Sequence, residues 1–112
     1  MNKLLNEAKL IRSDSFLILT FSEKRSRQVI AVLKTHFAAN SSWKNWILFY
    51  LPLFDDYLKV YYIQDREFCI QPSGFSVNEG LCLISKEENE KLFLDVIQRL
   101  EIELGLTVLR EA

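Results

Sequence analysis

The amino-acid sequence predicts an α+β fold, and three stretches carry that prediction. Phe16–Phe21 (FLILTF) is an unbroken apolar run of strand formers, Tyr57–Gln64 alternates with a two-residue period, and Leu92–Leu104 holds a broad apolar stripe at helical spacing. Together they imply a mainly antiparallel sheet of four to six strands, two long helices and one short N-terminal helix. The expected order is α-β-α-β-β-β-β-α-(β). The 112 residues match the commonest domain size, so residues 1–112 are expected to form a single domain.

The first element is read as a short amphipathic helix over residues 2–12, because Leu4, Leu5, Ala8 and Ile11 fall on one stripe with charges between them. Ser13-Asp14-Ser15 then turns the chain into Phe16–Phe21, which lacks a polar face and therefore reads as an internal strand. Ser22 is placed to cap a second helix, in which Val29, Ile30, Leu33 and Phe37 recur at helical spacing before Asn40-Ser41-Ser42 closes it. Trp46–Phe54 is aromatic and apolar on both faces, with Pro52 limiting its pairing.

Tyr57–Gln64 sends Leu58, Val60 and Tyr62 to one face and Tyr57, Lys59 and Tyr61 to the other. A break at Asp65-Arg66 leads into Glu67–Gln71, so the two strands are expected to form a hairpin. Pro72-Ser73-Gly74 turns the chain again ahead of a strand at Leu81–Ile84. Ser85-Lys86-Glu87-Glu88 fits a capping box at the head of a helix over 86–104, and Gly105 stands where a left-handed C-terminal cap belongs. Thr107–Leu109 is a candidate final strand. Short connections between consecutive strands favour antiparallel pairing, with the helices gathered on one face.

Composition narrows the function classes. Fourteen basic residues against fifteen acidic ones leave a net charge of −1, so no global field draws the chain to nucleic acid or an anionic membrane. The stretch after Met1 is interrupted by Asn6, Glu7, Lys9 and Arg12 and lacks the apolar centre of a secretory signal. The apolar run 46–54 falls well short of the roughly twenty residues that span a bilayer. Cys69 and Cys82, with neither a C-x-x-C pair nor a dense cysteine framework, suit a reducing compartment, and a cytoplasmic location is expected.

The candidates for chemistry each have a plain structural reading. His36, the single histidine, would need to meet Cys69 or Cys82 to build a nucleophile or a zinc site, and the set would still be one ligand short. Both cysteines read as buried free thiols. The acidic sets Asp55-Asp56, Asp65/Glu67 and Glu87-Glu88/Glu90 fall in turns or at a helix start, where local structure accounts for them. No phosphate-cradling or nucleophile-elbow glycine motif is present, and three glycines leave little material for one. No catalytic, cofactor-binding or metal-binding residue is therefore assigned, and the chain is not expected to be an enzyme.

Two surface features remain. Lys24, Arg25 and Arg27 crowd the first turns of the second helix, where the macrodipole disfavours cations, so they are a candidate anion site. Trp43, Trp46, Tyr57, Lys59 and Tyr61 are the candidate partner-binding residues, on the premise that two long helices leave one sheet face open. The function expected is that of a non-enzymatic cytoplasmic protein-binding module. A small inhibitor of the immunity or antitoxin type, or a dedicated chaperone, fits this size, docking another protein or a second copy of itself through an aromatic sheet face. The alternative is a nucleic-acid or phosphate-ligand binder using 24–27, which lacks the basic excess of such modules.

Overall fold

A computed structural model describes residues 6–41, 59–72 and 80–110. Its strands are β1 (Glu7–Ser13), β2 (Phe16–Phe21), β3 (Asn40–Ser41), β4 (Lys59–Ile63), β5 (Arg66–Pro72), β6 (Leu81–Lys86) and β7 (Thr107–Arg110). Its helices are α1 (Ser26–Phe37) and α2 (Glu90–Leu104), each led in by a single 3-10 turn, at Glu23–Arg25 and Glu87–Asn89. The strands form one mixed sheet in the order β3-β4-β5-β6-β2-β1-β7, with β7 parallel to β1 and the other pairs antiparallel. The α+β reading holds, with seven described strands where four to six were expected.

The first element differs in kind. Residues 7–13 form a strand rather than part of a helix, paired with β2 on one side and β7 on the other. Glu, Ala, Lys and Leu are good helix formers, but local preference is weak beside two ladders of hydrogen bonds. The same residues also satisfy a period of two, with Ala8 buried and Leu10 packed on the core while Glu7 and Lys9 face solvent. The expected turn at Asp14 closes this hairpin, and Asp14 takes the left-handed conformation (φ 53°) that Asp tolerates better than most residues.

Register decides what each strand buries. Leu17, Leu19 and Phe21 of β2 lie opposite Ser85, Leu83 and Leu81 of β6. Ile70 of β5 continues the Leu83 row, and Phe68 pairs with Tyr61 of β4. These side chains form one core with Val29, Val32 and Leu33 of α1 and Phe93, Val96, Ile97 and Leu100 of α2. The rings of Phe68 and Phe93 stack at 5.9 Å, fixing α2 against the sheet. Both helices therefore cover the same face. Their far ends are joined on the surface by His36 Nε2 and Glu103 Oε1 at 3.5 Å.

The β4–β5 hairpin forms one residue earlier than the sequence suggests. Gln64 and Asp65 both adopt positive φ (52° and 64°) between the paired residues Ile63 and Arg66, as a two-residue hairpin turn requires. The strand expected at Trp46–Phe54 lies outside the described residues.

The capping box does not form: Ser85 is the penultimate residue of β6 and is buried, its hydroxyl donating to the Glu67 carbonyl at 2.9 Å. That hydroxyl also accepts from Asn89 Nδ2 at 2.9 Å, so it ties β5, β6 and the start of α2 together. Ser22 does cap as expected, accepting from the Lys24 amide at 3.3 Å. At the C-terminus of α2, Gly105 takes the predicted left-handed conformation (φ 66°). At the end of α1 the same role falls to Ala38 (φ 53°), with Ala39 N–H bonded to the Leu33 carbonyl at 3.1 Å.

Two stability predictions follow from this packing. Leu100→Ala and Val96→Ala should each cost about 2–4 kcal/mol in urea unfolding, the range for emptying a sealed aliphatic site. Ala38→Gly should act in the opposite direction, raising stability by about 1 kcal/mol because glycine removes the steric cost of the left-handed cap. An unchanged or lowered urea midpoint for Ala38→Gly would contradict the cap geometry.

Candidate docking face

The alternation that buries Leu17 and Leu19 sends Phe16, Ile18 and Thr20 to the opposite side of the sheet. On that side one apolar row crosses five strands: Ile11 pairs with Ile18, Ile18 with Ile84, Ile84 with Cys69, and Cys69 with Val60. A second row places Lys9, Thr20, Cys82 and Gln71 side by side. Both described helices pack on the other face. Burial along the apolar row is graded, from Val60 at 7% exposure through half-buried Cys69, Ile84, Ile18 and Ile11. Phe16, beside the row, is 43% exposed, an unusual position for a phenylalanine on a sheet.

A hollow of about 360 Å³ opens in this face, lined by Ser13, Asp14, Phe16, Ile18, Cys69, Gln71 and Ile84. Its walls come from four strands and the β1–β2 turn, so the hydrogen-bonded sheet holds its shape. The Cys69 thiol lies 3.8 Å from Gln71 Oε1. Cys69 and Cys82 occupy neighbouring strands on the same face as free thiols; Cys82 is buried as expected, whereas Cys69 is half-buried. Burial pushes both up, from an ordinary 9.0 to about 11, so neither is an activated nucleophile.

His36 stands on α1, across the sheet from both cysteines, so the arrangement gives no Cys-His pair. Among the described residues no group of three or more His, Cys, Asp or Glu side chains converges on a point. Glu87 and Glu90 are committed to Arg12, whose Nη1 lies 2.9 Å from Glu87 Oε2 and whose Nη2 bonds Glu90. No helix among the described residues is long and apolar enough to cross a membrane.

The aromatic residues singled out from the sequence divide. Trp43, Trp46 and Tyr57 lie outside the described residues. Tyr61 is 5% exposed and belongs to the core, opposite Phe68, and burial raises its hydroxyl pKa. Lys59 is half-buried on that same helix-covered face, opposite Ile70. The side of β4 that carries Lys59 and Tyr61 is thus the helix-covered one, not the open face expected from the sequence. Alternation holds over Lys59–Ile63, and the pairing with Phe68 and Ile70 directs Lys59 and Tyr61 inward and Val60 and Tyr62 to the other side.

Nor do the three cations of the candidate anion site act as one. Arg25 turns to Gln28 Oε1 at 2.6 Å and to Asn6 Oδ1, while Lys24 and Arg27 are exposed. Lys24 borders a hollow of about 480 Å³ whose other charged residues are Glu7, Lys9 and Glu23, so carboxylates and ammonium groups are equal in number there. That balance offers an anion no net attraction.

Phe16, Ile18 and Ile84 are not among the docking residues expected from the sequence, and Cys69 is expected only as a buried thiol. Their signal lies in the sequence: FLILTF carries Phe16 and Ile18 on the side opposite Leu17 and Leu19, and Ile84 stands on the same side as Cys82 rather than Leu83. No protein-family model matches the chain, and neither a curated protein nor a solved structure matches it.

The raised thiol pKa values predict a pH dependence. The unfolded chain releases its thiol protons near 9.0 and the folded chain only near 11, so stability is intact below pH 9 and falls as pH rises toward 11. Replacing Cys69 and Cys82 together by alanine should flatten the fall in urea midpoint between pH 8.5 and pH 10.5. An unchanged slope in the double variant would mean that the thiols titrate alike in both states.

Proposed function

We propose that this chain is a non-enzymatic protein-binding module that docks another protein through the sheet face opposite its two described helices. The observation that carries this reading is the apolar row Ile11–Ile18–Ile84–Cys69 leading to an exposed Phe16 beside a 360 Å³ hollow. Partner sites combine an apolar centre with a polar rim, and here Lys9, Ser13, Asp14 and Lys86 surround the row. A phenylalanine at the edge of such a row is the type of side chain that anchors a complex. Within this class, a small inhibitor of the immunity or antitoxin type and a dedicated chaperone both use a single stable face to hold one protein partner, and the chain is of suitable size for either.

A photo-crosslinking amino acid placed at Phe16, with Ile102 as control, tests the reading. Ile102 is 62% exposed on the outer surface of α2 and therefore as available to a random collision as Phe16. In extract from the native cell, position 16 should give one discrete, protease-sensitive and nuclease-resistant adduct, and position 102 none. An adduct at twice the chain mass would identify a second copy as the partner. Equal labelling from both positions, or a nuclease-sensitive product at 16, would overturn the proposal.

A further inference from the structure

Building on the docking-face reading, we propose that the hollow beside the β1–β2 turn receives a bulky apolar anchor side chain from a partner segment whose adjacent residue is basic. The walls are Phe16, Ile18, Ile84 and the Cys69 thiol, a surface that gains by excluding water. Asp14 is the single charged residue among the described residues that line it. Its position is fixed: it is held at φ 53° in the two-residue turn, between the paired residues Ser13 and Phe16.

Among the described residues no cation pairs with that carboxylate. Arg12, two residues away, turns both terminal guanidinium nitrogens, Nη1 and Nη2, to Glu87 and Glu90. Lys86 pairs with Phe16 in register but does not line the hollow. A partner that fills the hollow brings its flanking residue over Asp14 and strips part of its water. An acidic flank adds repulsion, an apolar flank leaves the carboxylate desolvated without a partner, and an arginine or lysine restores its hydrogen bonds. The two features together specify an anchor with a cation beside it, a narrower requirement than apolar contact alone.

Two small probes separate these elements: N-acetyl-tryptophanyl-arginine amide and N-acetyl-tryptophanyl-glutamate amide, each titrated into the full chain while the Ile18 and Ile84 methyl resonances are followed. The arginine probe should shift both methyls saturably, with a dissociation constant on the order of millimolar. The glutamate probe should bind about threefold or more weakly, a difference suited to a partly exposed charge pair. In Asp14→Asn the difference should vanish while the methyls still respond. Asparagine favours the left-handed conformation at least as well as aspartate, so the turn is preserved. Equal affinity of the two probes for the native chain would overturn the basic flank and leave the docking face standing. Silence of both methyls toward both probes would remove the hollow as an anchor site, whatever the crosslinking at Phe16 shows.

Discussion

The pairing of β2 with β6 is the constraint from which the rest of the molecule follows. Both strands are apolar on both sides, so hydrophobicity alone does not choose which side faces the helices. Register chooses it. With Leu19 opposite Leu83, the leucines and Phe21 fall on one side and the isoleucines on the other. A slip of one residue would exchange the two sets. Each neighbouring strand inherits this choice: β5 presents Phe68 and Ile70 to the core, β4 presents Tyr61 and Ile63, and β1 presents Ala8 and Leu10. The candidate docking face is the complement of that selection, set by the same hydrogen bonds that build the core.

Shape contributes to the choice. Leucine and phenylalanine gather under the helices, where Phe93 stacks on Phe68 and Leu33, Ile97 and Leu100 fill the space between the layers. The opposite face is built largely from β-branched residues, Ile11, Ile18, Thr20, Ile84 and Val60, which stand stiffly on a pleated sheet. Such side chains are stiff on the sheet that carries them, which lowers the cost of ordering the surface when a partner arrives. The thiols agree with this picture. Desolvated on the same face, they remain protonated and serve as small apolar side chains.

Much of the fold was legible because its signals are local. The alternation of Tyr57–Gln64, the run Phe16–Phe21, the α2 stripe and the Gly105 cap each depend on residues a few positions apart. The misreadings share the opposite cause. Residues 7–13 form a strand because β2 and β7, distant in the chain, supply partners, whereas their local pattern fits a helix equally well. Ser85 fits a capping box by spacing, yet its hydroxyl is already committed to the Glu67 carbonyl eighteen residues away. Tyr61 was placed on the open face because an alternating strand shows two faces without indicating which is buried. The site suffered from the same ambiguity: a strand apolar on both sides hides the residues of its outer face among those of its core.

The central claim is that one sheet has a sealed face and an accessible apolar face. The most direct test is solvent paramagnetic relaxation enhancement of methyl resonances in the isolated chain, using a neutral soluble probe. The account predicts strong broadening for Ile18 and Ile84, and little for Leu17, Leu19, Leu83 and Ile70, their neighbours on the same strands. Equal protection of both sets would contradict it, because the second face would then be core and the apolar row would have no surface at which to meet a partner.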